Sequence, residues 1–138
     1  MVEMMSISDV SKLYSCMYYS EQDAIAKVAG TGRKTLKNHL HCISILRNKC
    51  SHAARLYNTT FYPPVELSET FLRENTSVDN DTLFAYMIAL VKRLPKKEQK
   101  QQLIDELDQL LIKYADRIVL SEIGFPIEWK RILLRQHT

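Results

Sequence analysis

The stretch KTLKNHLHCISILRNKCSHAARLY, residues 34–57, decides how the rest of the sequence is read. Leu36, Leu40, Ile43, Leu46, Cys50 and Ala54 recur in it at three- and four-residue steps, the period of a helix with one buried stripe. Pro63 and Pro64 follow and end the unit, since neither can continue a helix. Upstream, Val10, Leu13, Tyr14 and Met17 share a stripe that predicts a helix over residues 8–18. The apolar start from Met1 to Met5 has no capping residue ahead of it, so that helix has room to begin earlier. Ser20 is placed to cap a second, short helix, with Glu21 and Asp23 near its positive end and Gly30 and Gly32 to stop it.

Downstream, residues 65–73 read as a short helix or turn, and residues 74–81 as polar loop. Asn80 or Asp81 can cap a helix over residues 82–94 that turns Leu83, Met87, Leu90 and Val91 inward. Pro95 opens another, to about residue 114, with Leu103, Leu107, Leu110 and Leu111 on its core face. A short apolar exit at residues 118–121 and a turn at Gly124 and Pro126 lead to a last amphipathic helix over residues 127–135. The expected fold is an all-α bundle of five to six helices, in one domain over residues 1–138.

Composition agrees. Gly and Pro together supply 7 of the 138 residues, about 5% against the roughly 12% of an average protein, which excludes a turn-rich β-sandwich or barrel. With 46% hydrophobic and 25% charged residues the chain has the balance of a globular protein rather than a disordered one. Three cysteines cannot pair off internally and none stands in a CxxC pair, so a disulfide scaffold is excluded and they read as small buried hydrophobes. No apolar run approaches the roughly 20 residues that span a bilayer. The opening MVEMMSISDVSK lacks the basic start and apolar core of a signal peptide. A cytoplasmic protein with no membrane contact is expected.

The net charge of +3 is unevenly placed. No acidic residue occurs between Asp23 and Glu66, an interval that holds Lys27, Arg33, Lys34, Lys37, Arg47, Lys49, Arg55 and three of the four histidines. Such a field favours an anionic partner, RNA or DNA most commonly, against the plainer reading of a solvated helix face.

Within that interval, Asn48, His52 and Arg55 fall at i, i+4 and i+7 on one face of the third helix, displaced from the core stripe. Arg47 lies about 140° from His52 at about 100° per residue, so it must curl round to reach the same phosphate, or a facing copy of the helix supplies the partner. The plainer reading is a histidine satisfied by helix neighbours and two surface arginines. No metal is expected: His39 and His41 sit about 200° apart on a helix, and Cys50 and His52 lie on different faces. No glycine-rich phosphate loop occurs, so neither a nucleotide nor any other cofactor is implied.

The string RNKCSHAARLYN, residues 47–58, resembles the R-x4-6-H signature of the HEPN superfamily of helical ribonucleases, and more closely its Abi-like, abortive-infection branch. EMMSISDVSKLY, residues 3–14, is similar to that branch's upstream helix, and EIGFPIEWKRILL, residues 122–134, to its GFP-x-x-W ending. The helices between match only in character. Two departures stand out. Family members usually carry a region ahead of the helix that begins this chain, so the chain is read as lacking it. They also often have a second histidine directly after the motif histidine, where Ala53 stands here.

The resemblance implies a metal-independent endoribonuclease of a toxin-like antiviral defence system, acting as a homodimer with a composite site. Residue chemistry is compatible. Cleaving RNA without a metal needs a base for the ribose 2′-OH, an acid for the departing 5′-oxygen and a cation for the phosphorane. Histidine as a residue type serves either proton role near neutrality, and arginine grips a phosphate with two donors. The expected catalytic residues are therefore His52 as acid or base, Arg47 on the phosphorane, and Asn48 to hold the imidazole or contact the phosphate. One chain offers one such histidine, whereas two about a two-fold axis offer two.

Arg55 and Asn58 are expected to contact RNA or support the site, with helix-end capping as the plainer alternative. Glu3, on the upstream helix, and Lys49 are further candidates of the same kind. Tyr57 could stack on a base but reads more simply as core. RNA and a second copy of the chain are the expected partners, with an inhibitory RNA or protein as a further one. The competing reading is a catalytically silent module of the same family that binds RNA or a partner protein. A purely structural helical protein is the third reading.

Overall fold

The structure, a computed structural model, describes residues 6–52, 54–57 and 59–136. In chain order it contains α1 (Ile7–Cys16), α2 (Tyr19–Val28), α3 (Arg33–Ser51), α4 (Glu69–Glu74), α5 (Leu83–Arg93), α6 (Lys97–Lys113), a 3-10 turn (Leu120–Ile123) and α7 (Trp129–Leu134). The fold is all-α, with no strand among the described residues. The stretch after Pro64 that read as helix or turn contains α4, capped by Ser68, whose hydroxyl accepts from the Phe71 N–H at 3.1 Å. With α4 counted, the described residues hold seven α-helices.

Local chemistry sets the helix ends. Ser6 and Asp9 cap α1 reciprocally: the Ser6 hydroxyl accepts from the Asp9 N–H, and the Asp9 carboxylate accepts from the Ser6 N–H, both at 3.2 Å. The Glu21 carboxylate accepts from the Tyr18 N–H at 3.3 Å, so α2 begins before Ser20, which lies inside its first turn instead of capping it. Gly30, at φ 76°, closes α2, with the Thr31 N–H bonded to the Ala26 carbonyl at 3.0 Å and the Gly30 N–H to Lys27 at 3.1 Å. Thr82, rather than Asn80 or Asp81, caps α5 by accepting from the Ala85 N–H at 3.3 Å.

Helix α5 is the centre of the molecule. Every residue from 84 to 89 is buried, together with Val91, so α5 is covered on all sides rather than along one stripe. Around it gather Cys42 and Leu46 of α3, Phe61 and Val65 of the following segment, Ile104 of α6, and Phe125, Trp129, Ile132 and Leu133 near the C-terminus. Phe84 meets Phe125 at 4.8 Å between ring centroids, and Phe125 meets Trp129 edge-on at 5.7 Å. The GFP-x-x-W ending thus serves the core. A second, smaller cluster joins Tyr14 of α1, Ala26 of α2 and Leu36 of α3.

Three sequence expectations need correction here. In α3, Leu36 and Leu46 are buried and Leu40 and Ile43 are half-buried, but Cys50 and Ala54 are exposed. The buried line runs through His39 and Cys42 instead, because residues 63–66 pass along that side. The Asn38 side chain donates to the Pro64 carbonyl at 2.9 Å and accepts from the Glu66 N–H at 2.8 Å, and the His39 Nε2–H donates to the Glu66 carbonyl at 2.8 Å. Of the three cysteines, only Cys42 is buried; Cys16 and Cys50 are exposed. In α6 Ile104 is the buried residue, while Leu110 is 50% exposed because it points away from the core.

Candidate functional site

The motif residues sit at the C-terminal end of α3. Arg47 is exposed and Asn48 half-buried on the last turns. The helix ends at Ser51, and His52 is its capping residue, at φ −94° and ψ 11°, with its backbone N–H bonded to the Asn48 carbonyl at 3.0 Å. The Ala54 N–H reaches back to the Lys49 carbonyl at 2.8 Å, a bond that closes a helix end. The helix predicted to run on to residue 57 is therefore shorter, and Arg55 does not continue the face that carries Asn48.

The segment beyond folds on itself. Arg55 Nε donates to the Tyr57 carbonyl at 2.8 Å, and the Tyr57 hydroxyl accepts from the Val119 N–H at 3.3 Å. The Lys49 ammonium lies 5.4 Å from the Phe61 ring centroid and is half-buried. Arg47 and the His52 side chain are exposed to solvent. Glu3 and Asn58 lie outside the described residues, as does Ala53.

The Asn48 side chain is held by neighbours other than the His52 ring. Its Nδ2 donates to Ser8 Oγ of α1 at 3.4 Å, and its Oδ1 accepts from Arg47 Nη1 at 3.5 Å. Ser8 Oγ in turn lies 2.9 Å from Ser44 Oγ. Ser8 and Ser44 went unnoticed in the sequence, since a hydroxyl on α1 carries no spacing signal toward α3.

Asn48 also lines one end of a groove of about 680 Å³ between α1 and α3, whose other linings include Lys12, Lys34, Lys37, His41 and Ser44. No aspartate or glutamate lines it. His41, Asn48 and His52 fall within about 40° of one another at about 100° per residue, a periodicity readable in the sequence once metal spacing is set aside. The neighbouring His39 is different in kind. Burial, partly offset by its bond to the Glu66 carbonyl and reinforced by Arg93 and Lys92, pulls its pKa down to about 4. Its Nδ1 is buried without a partner, so it stands in the structure as a neutral donor to the backbone.

Among the described residues no three His, Cys, Asp or Glu side chains gather as a metal site requires, and no helix is long and apolar enough to cross a membrane. Residues 1–58, the part of the chain that holds α1, α2, α3 and the motif, match the model of a family described as Abi-like protein. The match covers less than half of the chain, so it shows a likeness of that segment to the Abi-like family. Neither a curated protein nor a solved structure matches the chain.

Proposed function

We propose that this chain is a metal-independent endoribonuclease of an abortive-infection, toxin-like defence system. The observation that supports the reading is that Arg47, Asn48 and His52 fall within the last turn and cap of α3, inside the segment that matches the Abi-like family, with Arg47 and His52 exposed. In the reaction a base takes the proton of the ribose 2′-OH and the 2′-oxygen attacks the phosphorus. The 5′-oxygen then leaves with a proton from an acid, giving a 2′,3′-cyclic phosphate and a 5′-hydroxyl. Arg47 offsets the charge of the phosphorane.

Acid and base require two groups near one phosphate. His39 is buried, and His41 lies about 16 Å from His52 along α3 at about 1.5 Å per residue, too far for both to serve one phosphate. A second copy of the chain, bringing its own His52, supplies the missing group and makes the site composite.

Incubation of the purified protein with labelled single-stranded and structured RNA in excess EDTA, beside His52→Ala, tests this. Cleavage by the parent alone, with cyclic-phosphate ends, is the expected result; equal cleavage by the variant removes His52 from the mechanism. One observation favours a second reading. Among the described residues the His52 ring has no hydrogen-bond partner to position it, as a silent RNA-binding or partner-binding module would tolerate. In such a module Arg47→Ala weakens binding in proportion to charge, whereas in a nuclease it lowers turnover far more than affinity.

A further inference from the structure

We infer that the α1/α3 groove is a binding track for the sugar–phosphate backbone of single-stranded RNA, leading the strand to the motif end of α3. The inference rests on the reading of the chain as one that acts on RNA. Three observations converge on it. The groove is lined by cations from both walls, Lys12 from α1 and Lys34 and Lys37 from α3, with His41 between them and Asn48. Among the described residues none of these lysines makes an ion pair. The nearby acids are engaged elsewhere: Asp23 pairs with Arg33 at 3.3 Å, and Asp9 caps α1.

Between these charges the exposed lining of the groove is mostly apolar, so the lysines are its phosphate contacts. Ser8, Ser44 and Asn48, which also line the groove, are bonded to one another and brace its two walls. From Lys34 to Asn48 the α3 wall extends about 21 Å at about 1.5 Å per residue, enough to follow several nucleotides. A groove of about 680 Å³ is on the scale of a few nucleotides of one strand rather than of a duplex. Of the cations between Asp23 and Glu66, Lys34 and Lys37 stand on one wall of this cleft, and Lys12 faces them from the other.

The experiment measures binding, so that it does not depend on cleavage. A fluorescent 2′-O-methyl RNA oligonucleotide, which lacks the attacking hydroxyl, is titrated with the parent across a range of salt concentrations. The same titration is made with the triple variant Lys12→Gln, Lys34→Gln, Lys37→Gln, and with a control that replaces the exposed Lys96, Lys97 and Lys113 by Gln. The groove variant is expected to lose at least tenfold in affinity, with the slope of log K against log salt reduced by about 2, from about 0.7 per phosphate contact in a single strand. The control is expected to bind as the parent does.

Equal loss in the control would reduce the effect to net charge and overturn the groove. Unchanged binding in the groove variant, absence of binding by the parent, or equal binding of the matching duplex would overturn it as well. Binding by a parent that cleaves no unmodified RNA would leave the groove standing and remove the nuclease reading.

Discussion

The Asn48 side-chain amide of α3 donates to the Ser8 hydroxyl of α1 at 3.4 Å, a bond that spans 40 residues of sequence and ties a motif residue to the opposite wall of the groove. On the nuclease reading, Ser8 would act on the site through Asn48. Ser8→Ala is expected to lower the rate of RNA cleavage roughly 3- to 10-fold, the worth of one hydrogen bond of about 1 kcal/mol, with KM little changed. Ser8→Thr, which keeps the hydroxyl, should restore most of the rate. A Ser8→Ala enzyme with parental kcat and a raised KM would instead make Ser8 a substrate contact.

A pH dependence follows from His39. In the folded chain it stays neutral down to about pH 4, whereas an unfolded histidine takes up its proton near 6.5. The unfolded state then binds more protons between those values, so the contribution is complete above about pH 6.5 and is lost as pH falls toward 4. The full loss is roughly 3 kcal/mol, at about 1.4 kcal/mol for each tenfold difference in proton affinity between the two states. Urea unfolding midpoints at pH 7 and pH 4.5 should differ more for the parent than for His39→Gln, which can still donate to Glu66 but does not titrate. Parallel curves would mean that His39 is protonated in the folded protein.

The three cysteines should separate by reactivity. Cys42 is fully buried, and burial pushes its thiol up to about 11, while Cys16 and Cys50 are exposed. A thiol reagent at pH 8 is expected to modify two groups in the native protein and the third only in denaturant. Cys42→Ser should leave the native count at two; a fall to one would place Cys42 at the surface.

The cysteines also show what the sequence could convey. The period of residues 34–57 gave a long helix, and the shortage of glycine and proline gave the all-α class, because both depend on local chemistry. It was the partner of each face that could not be read. Cys42 and His39 are buried because the segment carrying Glu66 lies against them, a contact 27 residues away in sequence for His39. The helix end at Ser51 was equally hidden: no glycine or proline marks it, and the closing bonds of the Tyr57 loop come from tertiary packing. The motif was legible as a string, whereas the groove it adjoins became visible only when α1 supplied Ser8 and Lys12.

Gly124 offers a test of the core. It adopts φ 74°, and a Cβ there would overlap the Thr82 side chain that caps α5. Gly124→Ala is expected to cost roughly 2–4 kcal/mol, from the strained conformation and the overlap together. Thermal unfolding should show a Tm lower by several degrees. An unchanged Tm would mean that the turn and the start of α5 do not press on each other.

The two walls of the groove are anchored unequally. Helix α3 sends Cys42 and Leu46 into the main core around α5, whereas α1 is fastened through Tyr14 in the small cluster it shares with Ala26 and Leu36. Because α1 lies outside the main core, local opening of that wall would expose its amides to solvent exchange while α5 stays protected. A ligand lodged between the walls would act as a clasp, slowing deuterium uptake along residues 7–16 with little change along residues 83–93. With RNA as that ligand, the width of the channel would be set by its occupant, and strands that differ in backbone stiffness would be admitted unequally without any contact to a base.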